Sequence, residues 1–154
     1  MLNHNIALVM SLDNEIKDKG NLFVGGWESI KLIKDQQINA VLSAVWFGCK
    51  SLDKNVEHLI IKAEDNPNYE MSKHFEESVK FINDNLKITN VLVHCAAGIS
   101  RSVCLIIAYM IKIHKIKPQD ALMKIQQNRK WANPNDGFKK QLEKYYNEVI
   151  EGVQ

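Results

Sequence analysis

Cys95 and Arg101 stand six positions apart and bracket a run of small or uncharged residues, Ala96-Ala97-Gly98-Ile99-Ser100, with Ser102 following at once. These types at this spacing fit a phosphate trap with a nucleophile at its floor. The thiolate is the reactive form of cysteine, and thiols at helix N-termini or beside cations have pKa values lowered to about 3.5–7.5. Arg101 offers a planar fork that can hold two phosphoryl oxygens while charge redistributes, which the point charge of lysine does less well. Of the 20 lysines and arginines only Arg101 and Arg129 are arginine, so an arginine here is not compositional drift. Ser102 brings a hydroxyl within chain reach of the Cys95 sulfur, where it would help the thiolate leave in a second step.

A trap of this kind works only if regular elements hold its two ends. Residues 88–94, Ile-Thr-Asn-Val-Leu-Val-His, read as a short buried strand, and Ser102 to His114 as a helix apolar nearly all round. The connection must turn sharply. Gly98 is free to take positive φ, and the small Ala96 and Ala97 leave room for backbone N–H groups to form an anion-binding nest at the helix N-terminus. Further strands are expected near 5–11, 21–25, 39–45 and 56–62. Helices are expected over Trp27 to Gln37, with Ile30 and Ile33 on one face, over Ser72 to Leu86, from Pro118 to about Arg129, and along the face of Phe138, Leu142, Tyr145 and Val149. The alternation predicts a single α/β domain over residues 1–154 whose central four- or five-stranded, largely parallel sheet is flanked by helices. Its nucleophile would lie at the carboxyl end of a strand, where open α/β sheets place their ligands.

A bare Cys-x5-Arg spacing arises often by chance, but the full string His94-Cys95-Ala96-Ala97-Gly98-Ile99-Ser100-Arg101-Ser102 carries far more information. Set between a strand and a helix, it resembles the signature of the cysteine-based protein phosphatases, in their dual-specificity branch. The resemblance implies a protein tyrosine phosphatase-like fold, a cysteinyl-phosphate intermediate, and a general acid on a separate loop. Asp65 in Ala63-Glu64-Asp65-Asn66-Pro67, 30 residues before Cys95, matches the position of that acid. Glu64 is the rival, and an Asp that merely opens a turn before proline is the plainer alternative. The stretch Asn128 to Leu142 is similar to the family's late Pro-Asn-x-Gly-Phe turn, in which Asn135 would brace the active-site loops. His94 matches the residue that orders the nucleophile loop from behind. The phosphate would be held by Ala96, Ala97, Gly98, Ile99, Ser100 and Arg101. Arg129 fits a helix C-terminus or a structural salt bridge better than a substrate contact.

Composition agrees with a small enzyme: 154 residues, 45% hydrophobic, suit one core. Net charge is +2 with the basic residues dispersed, so no nucleic-acid partner is expected. No run of 18 apolar residues and no signal pattern occurs, so neither membrane insertion nor secretion is expected, and the cytoplasm, with the nucleus as a second compartment, is the default. Cys104, within Val103-Cys104-Leu105, reads as core. Cys49 is either an ordinary thiol or a resolving partner for oxidised Cys95. His4, His58, His74 and His114 have no ligand spacing, so no metal and no cofactor are expected.

The uncharged Ala96, Ala97 and Ile99 differ from the lysines that inositol-lipid relatives resemble one another in carrying there, which favours phosphoprotein substrates. The absence of a Trp-Pro-Asp acid loop suits a shallower pocket open to phosphotyrosine and to phosphoserine or phosphothreonine. Three alternatives remain open: a non-catalytic phosphoprotein-binding module, a phosphoinositide or RNA phosphatase, and a sulfurtransferase working through a persulfide. The oligomeric state is not legible.

Overall fold

Among the described residues, short apolar runs rich in Val, Ile and Leu become five strands: β1 (Ile6–Ser11), β2 (Asn21–Gly25), β3 (Ile38–Val45), β4 (Glu57–Lys62) and β5 (Asn90–His94). The computed structural model describes residues 5–11 and 20–152; His4 and the remaining parts of the 1–154 span lie outside the described residues. The strands form one sheet in the order β1-β2-β5-β3-β4. β1 and β2 pair antiparallel, and all other neighbours run parallel. The expected α/β architecture with a largely parallel sheet is therefore present.

β5 is central, with Val91, Leu92 and Val93 fully buried. Both of its faces are covered, which is why the strand reads as a continuous apolar run. Val91 and Val93 face the larger core, under α1 (Phe75–Leu86), α2 (Arg101–His114), α3 (Pro118–Gln126) and α4 (Asp136–Glu151). Leu92 joins Ile6, Phe23, Ile33, Ile38 and Val41 on the opposite face. α2 has buried residues all round because it occupies the middle of the helical layer, between α1, α3 and α4. It ends at Lys115, whose left-handed backbone closes the helix.

The segment expected to be a helix from Trp27 to Gln37 is shorter: one 3-10 stretch, Trp27–Leu32, precedes turns that end at Gln37 with φ +54. Spacing of three between Ile30 and Ile33 suits a 3-10 turn, in which positions i and i+3 eclipse. Both side chains cover the smaller core. That segment forms a wall behind the β5–α2 loop rather than a full helical layer.

Candidate active site

The loop that carries Cys95 begins where β5 ends and stops where α2 starts. Cys95 is buried, and its Sγ receives the Gly98 N–H at 3.2 Å and lies 3.2 Å from Ser102 Oγ. Around it, four successive carbonyls are held from outside. Ala96 O accepts from Trp27 N (3.0 Å), Ala97 O from Arg129 Nη2 (3.0 Å), Gly98 O from Arg129 Nε (2.7 Å) and Ile99 O from Asn133 N (2.9 Å). In a planar trans peptide the next N–H points opposite to the carbonyl. The amides of residues 97–100 are therefore turned to the inner side, as Gly98 N on the sulfur illustrates. Gly98 has φ +67, and a Cβ there would meet Arg129 Nη2 at 2.6 Å and the Gly25 backbone at 2.6–2.7 Å. Both conformation and space demand glycine.

Arg101 opens α2, and its Nη1 donates to Ala63 O at 3.1 Å. Its Nε is buried without a hydrogen-bond partner in the protein. A guanidinium N–H so placed is a donor for an anion in the loop. Ser100 Oγ accepts from Asn135 N at 3.0 Å, joining the loop to the start of α4.

Asp65 is exposed on the loop that follows β4. One of its oxygens accepts from Asn135 Nδ2 at 2.9 Å, while Asn135 Oδ1 accepts from Phe138 N at 2.9 Å and so caps α4. A single amide thus serves a helix end and an acid. Gly137 reinforces the attachment, because a Cβ there would collide with the Pro67 backbone. Glu64 is half-buried beside Asp65, with no such connection among its described contacts.

Behind the loop, His94 is fully buried, and its Nε2 lies 2.6 Å from Ser43 Oγ on β3. The same hydroxyl is 2.7 Å from His58 Nε2 on β4, and Cys49 Sγ is 3.7 Å from that nitrogen. The Trp27 ring packs on His94 with centroids 5.6 Å apart. Burial holds the His94 imidazole neutral, titrating at about 4, with a Cys95 backbone contact opposing and His58 adding to the effect. Burial lowers His58 as well, and it raises the thiol of Cys104 far above its ordinary value, with Asp65 adding to that rise.

Two features escaped the sequence reading. Arg129 is 4% exposed, its backbone N–H donates to Ile125 O at the end of α3, and its guanidinium clasps the Cys95 loop through Gly98 O and Ala97 O. Its signal was scarcity, one of two arginines among many lysines. The Ser43–His58 pair had no sequence signal, since only the β3–β4 register puts these residues beside His94.

A mostly parallel sheet carrying a buried thiol on the strand-to-helix loop, opposite an arginine and a carboxylate loop, defines the protein tyrosine phosphatase fold. Solved structures agree. The human tyrosine phosphatase-like serine/threonine/tyrosine-interacting protein superposes with TM-score 0.82 at 26% identity, covering 98% of this chain and 100% of that one. The Yvh1 phosphatase domain of Chaetomium thermophilum gives 0.79 at 28% identity, covering 97% and 99%. Among curated proteins, human dual specificity protein phosphatase 22 is 35% identical over 127 residues, 80% of this chain and 69% of that protein. Residues 22–148 match the model of the dual specificity phosphatase catalytic domain, and the chain belongs to that family of protein phosphatases.

Proposed function

We propose that Cys95 attacks the phosphorus of a phosphoprotein side chain in line. The S–P bond forms as the P–O bond breaks, and Asp65 gives its proton to the departing phenol or alcohol oxygen. Inward amides of residues 97–100, with Arg101, hold the equatorial oxygens of the cysteinyl-phosphate. Asp65, now a carboxylate, takes a proton from water, whose oxygen attacks phosphorus. Phosphate is released, and Ser102 Oγ donates to the sulfur as it leaves as thiolate. His94 and Asn135 act on the chemistry only through the loops they hold. The observation that carries this reading is the set of four outward-held carbonyls around a buried sulfur, which builds an anion site with a nucleophile at its base.

Phosphotyrosine and phosphoserine or phosphothreonine in proteins are the proposed substrates, with phosphotyrosine hydrolysed faster. Support comes from Ala96, Ala97 and Ile99, which offer no charge for the further phosphates of an inositol lipid. The cytoplasm and nucleus are the proposed compartments; among the described residues no helix is long and apolar enough to cross a membrane.

The test is hydrolysis of p-nitrophenyl phosphate without added metal, with vanadate as inhibitor. Cys95→Ser should abolish turnover while retaining phosphate binding, and full activity in that variant would overturn the assignment. A phosphoprotein-binding module would bind phosphopeptides without turning them over, and a sulfurtransferase would turn over thiosulfate.

A further inference from the structure

Among the described residues β4 is an edge strand, with β3 on one side and no strand on the other. Ala63 N donates to Val45 O on β3 at 3.3 Å. In a planar trans peptide the Lys62 carbonyl of the same unit points the opposite way, to the open edge. There it accepts from the Tyr69 hydroxyl at 2.8 Å, seven positions along the chain. That bond closes the loop carrying Asp65 into a ring that starts at Lys62 and ends at Tyr69. The Tyr69 backbone is tied as well. Its N–H donates to Asn66 O at 2.9 Å, and its carbonyl accepts from Gln141 Nε2 on α4 at 2.8 Å. Gln141 Oε1 in turn accepts from Ser72 N at 2.8 Å. The phenol ring stacks on His74, with 14° between the planes and centroids 5.9 Å apart, and Lys73 Nζ stands 4.9 Å from its centroid.

We propose that Tyr69 is a positioning residue for the phosphatase reaction: its hydroxyl fastens the acid loop to the edge of β4 and so holds Asp65 where it can reach the leaving oxygen. This rests on Asp65 being the general acid. Asp65 is exposed, and the Asn135 amide holds its carboxylate from the side of α4. An exposed carboxylate must be carried to one place by its backbone, because every unrestrained residue of the loop multiplies the positions open to it. Tyr69 supplies that restraint from the side of β4. Its bond to Gln141 ties the same residue to α4, the helix that Asn135 caps, so both restraints on Asp65 refer to one helix. The hydroxyl is the separable part of the device: phenylalanine would keep the ring against His74 and Lys73 and leave the Lys62 carbonyl without its donor.

Tyr69→Phe therefore tests it. With phenyl phosphate, whose leaving oxygen depends on the acid, kcat should fall about threefold to tenfold, and by at least about twice the factor seen with p-nitrophenyl phosphate. KM and vanadate inhibition should stay within about twofold, because the hydroxyl binds β4 and not the Cys95 loop. In an Asp65→Asn background the same substitution should change kcat on phenyl phosphate by less than about twofold, since the two residues act on one step. Equal losses for both leaving groups, an undiminished loss in the Asp65→Asn background, or no loss at all overturns the proposal. A residue that only packs would give the first or the last of these. If Asp65→Asn itself keeps full turnover, the acid assignment falls and this proposal with it. A large loss in Asp65→Asn beside an unmoved Tyr69→Phe overturns this proposal alone.

Discussion

Arg129 and Gly98, 31 residues apart, are joined by a 2.7 Å hydrogen bond in which the guanidinium Nε donates to the loop carbonyl. The same guanidinium holds Ala97 O at 3.0 Å and lies 5.3 Å from the Trp131 ring centroid. A cation on the outside of the loop thus fixes the peptide planes whose inner edges face Cys95. Burial lowers the Arg129 pKa while the charge of Cys95 opposes that fall, and the group stays cationic across the working pH range.

Arg129→Ala should therefore weaken the loop before it weakens the fold. Two carbonyls lose their donors, at about 1–3 kcal/mol of stability for a buried unsatisfied group, and freed peptide planes should weaken vanadate inhibition at least tenfold. Arg129→Lys, which cannot serve both carbonyls in plane, should recover the stability more than the inhibition. Urea unfolding together with vanadate titration checks this. Unchanged inhibition in both variants would show that the loop holds itself.

Asn135 has two duties that substitution can separate. Serine at that position can still cap α4, so Asn135→Ser should keep stability within about 0.5 kcal/mol. It loses the 2.9 Å bond to Asp65, and kcat for aryl phosphates with poor leaving groups should fall several-fold more than for p-nitrophenyl phosphate. Equal losses for both leaving groups would mean that Asn135 does not act through the acid.

Asp65→Ala should lower kcat by about 10²–10⁴ for poor leaving groups, the range of general acid catalysis. A loss below threefold would pass the role to Glu64, which a parallel Glu64→Gln measurement would reveal.

Gly137→Ala places a methyl group against the Pro67 backbone, so either the acid loop or the first turn of α4 must move. Turnover should fall at least tenfold while vanadate, which needs only the nucleophile loop, still binds within threefold. Loss of both would mean that the shift spreads beyond the acid loop.

His94 sets a pH dependence of stability whose sign follows from its depressed pKa. Free histidine titrates near 6.5, and His94 in the fold near 4, so between these values the unfolded chain binds the extra proton. Its stabilising contribution is complete above pH 6.5 and is lost as pH falls towards 4. From pH 7 to pH 5 the loss should be about 2 kcal/mol. His94→Gln should flatten that slope in urea unfolding; an unchanged slope would assign it to His58 or His74, whose pKa values are also lowered.

The strand and helix flanking Cys95 were legible because each is long enough and apolar enough to show its own period. The last helix was legible for the same reason: Phe138, Leu142 and Tyr145 recur along one buried face. The Trp27 to Gln37 segment was misjudged in length because Ile30 and Ile33 alone cannot distinguish a 3-10 turn from a longer helix. Register was illegible. Nothing local says that Ser43 faces both His58 and His94, since that follows from how β4 and β5 align on β3.

By itself the sequence determined a candidate nucleophile and its container: a thiol, six positions from an arginine, on a loop that must turn between a buried strand and a buried helix. These are local properties, written in residue type and short spacing. Only the tertiary structure decided what holds that container in shape. Arg129 reaches it from beyond α3, Asn135 ties Asp65 to α4, and Ser43 brings His58 to His94. Such contacts depend on how separate elements pack and align, and a linear pattern carries no distance between residues 31, 70 or 51 positions apart.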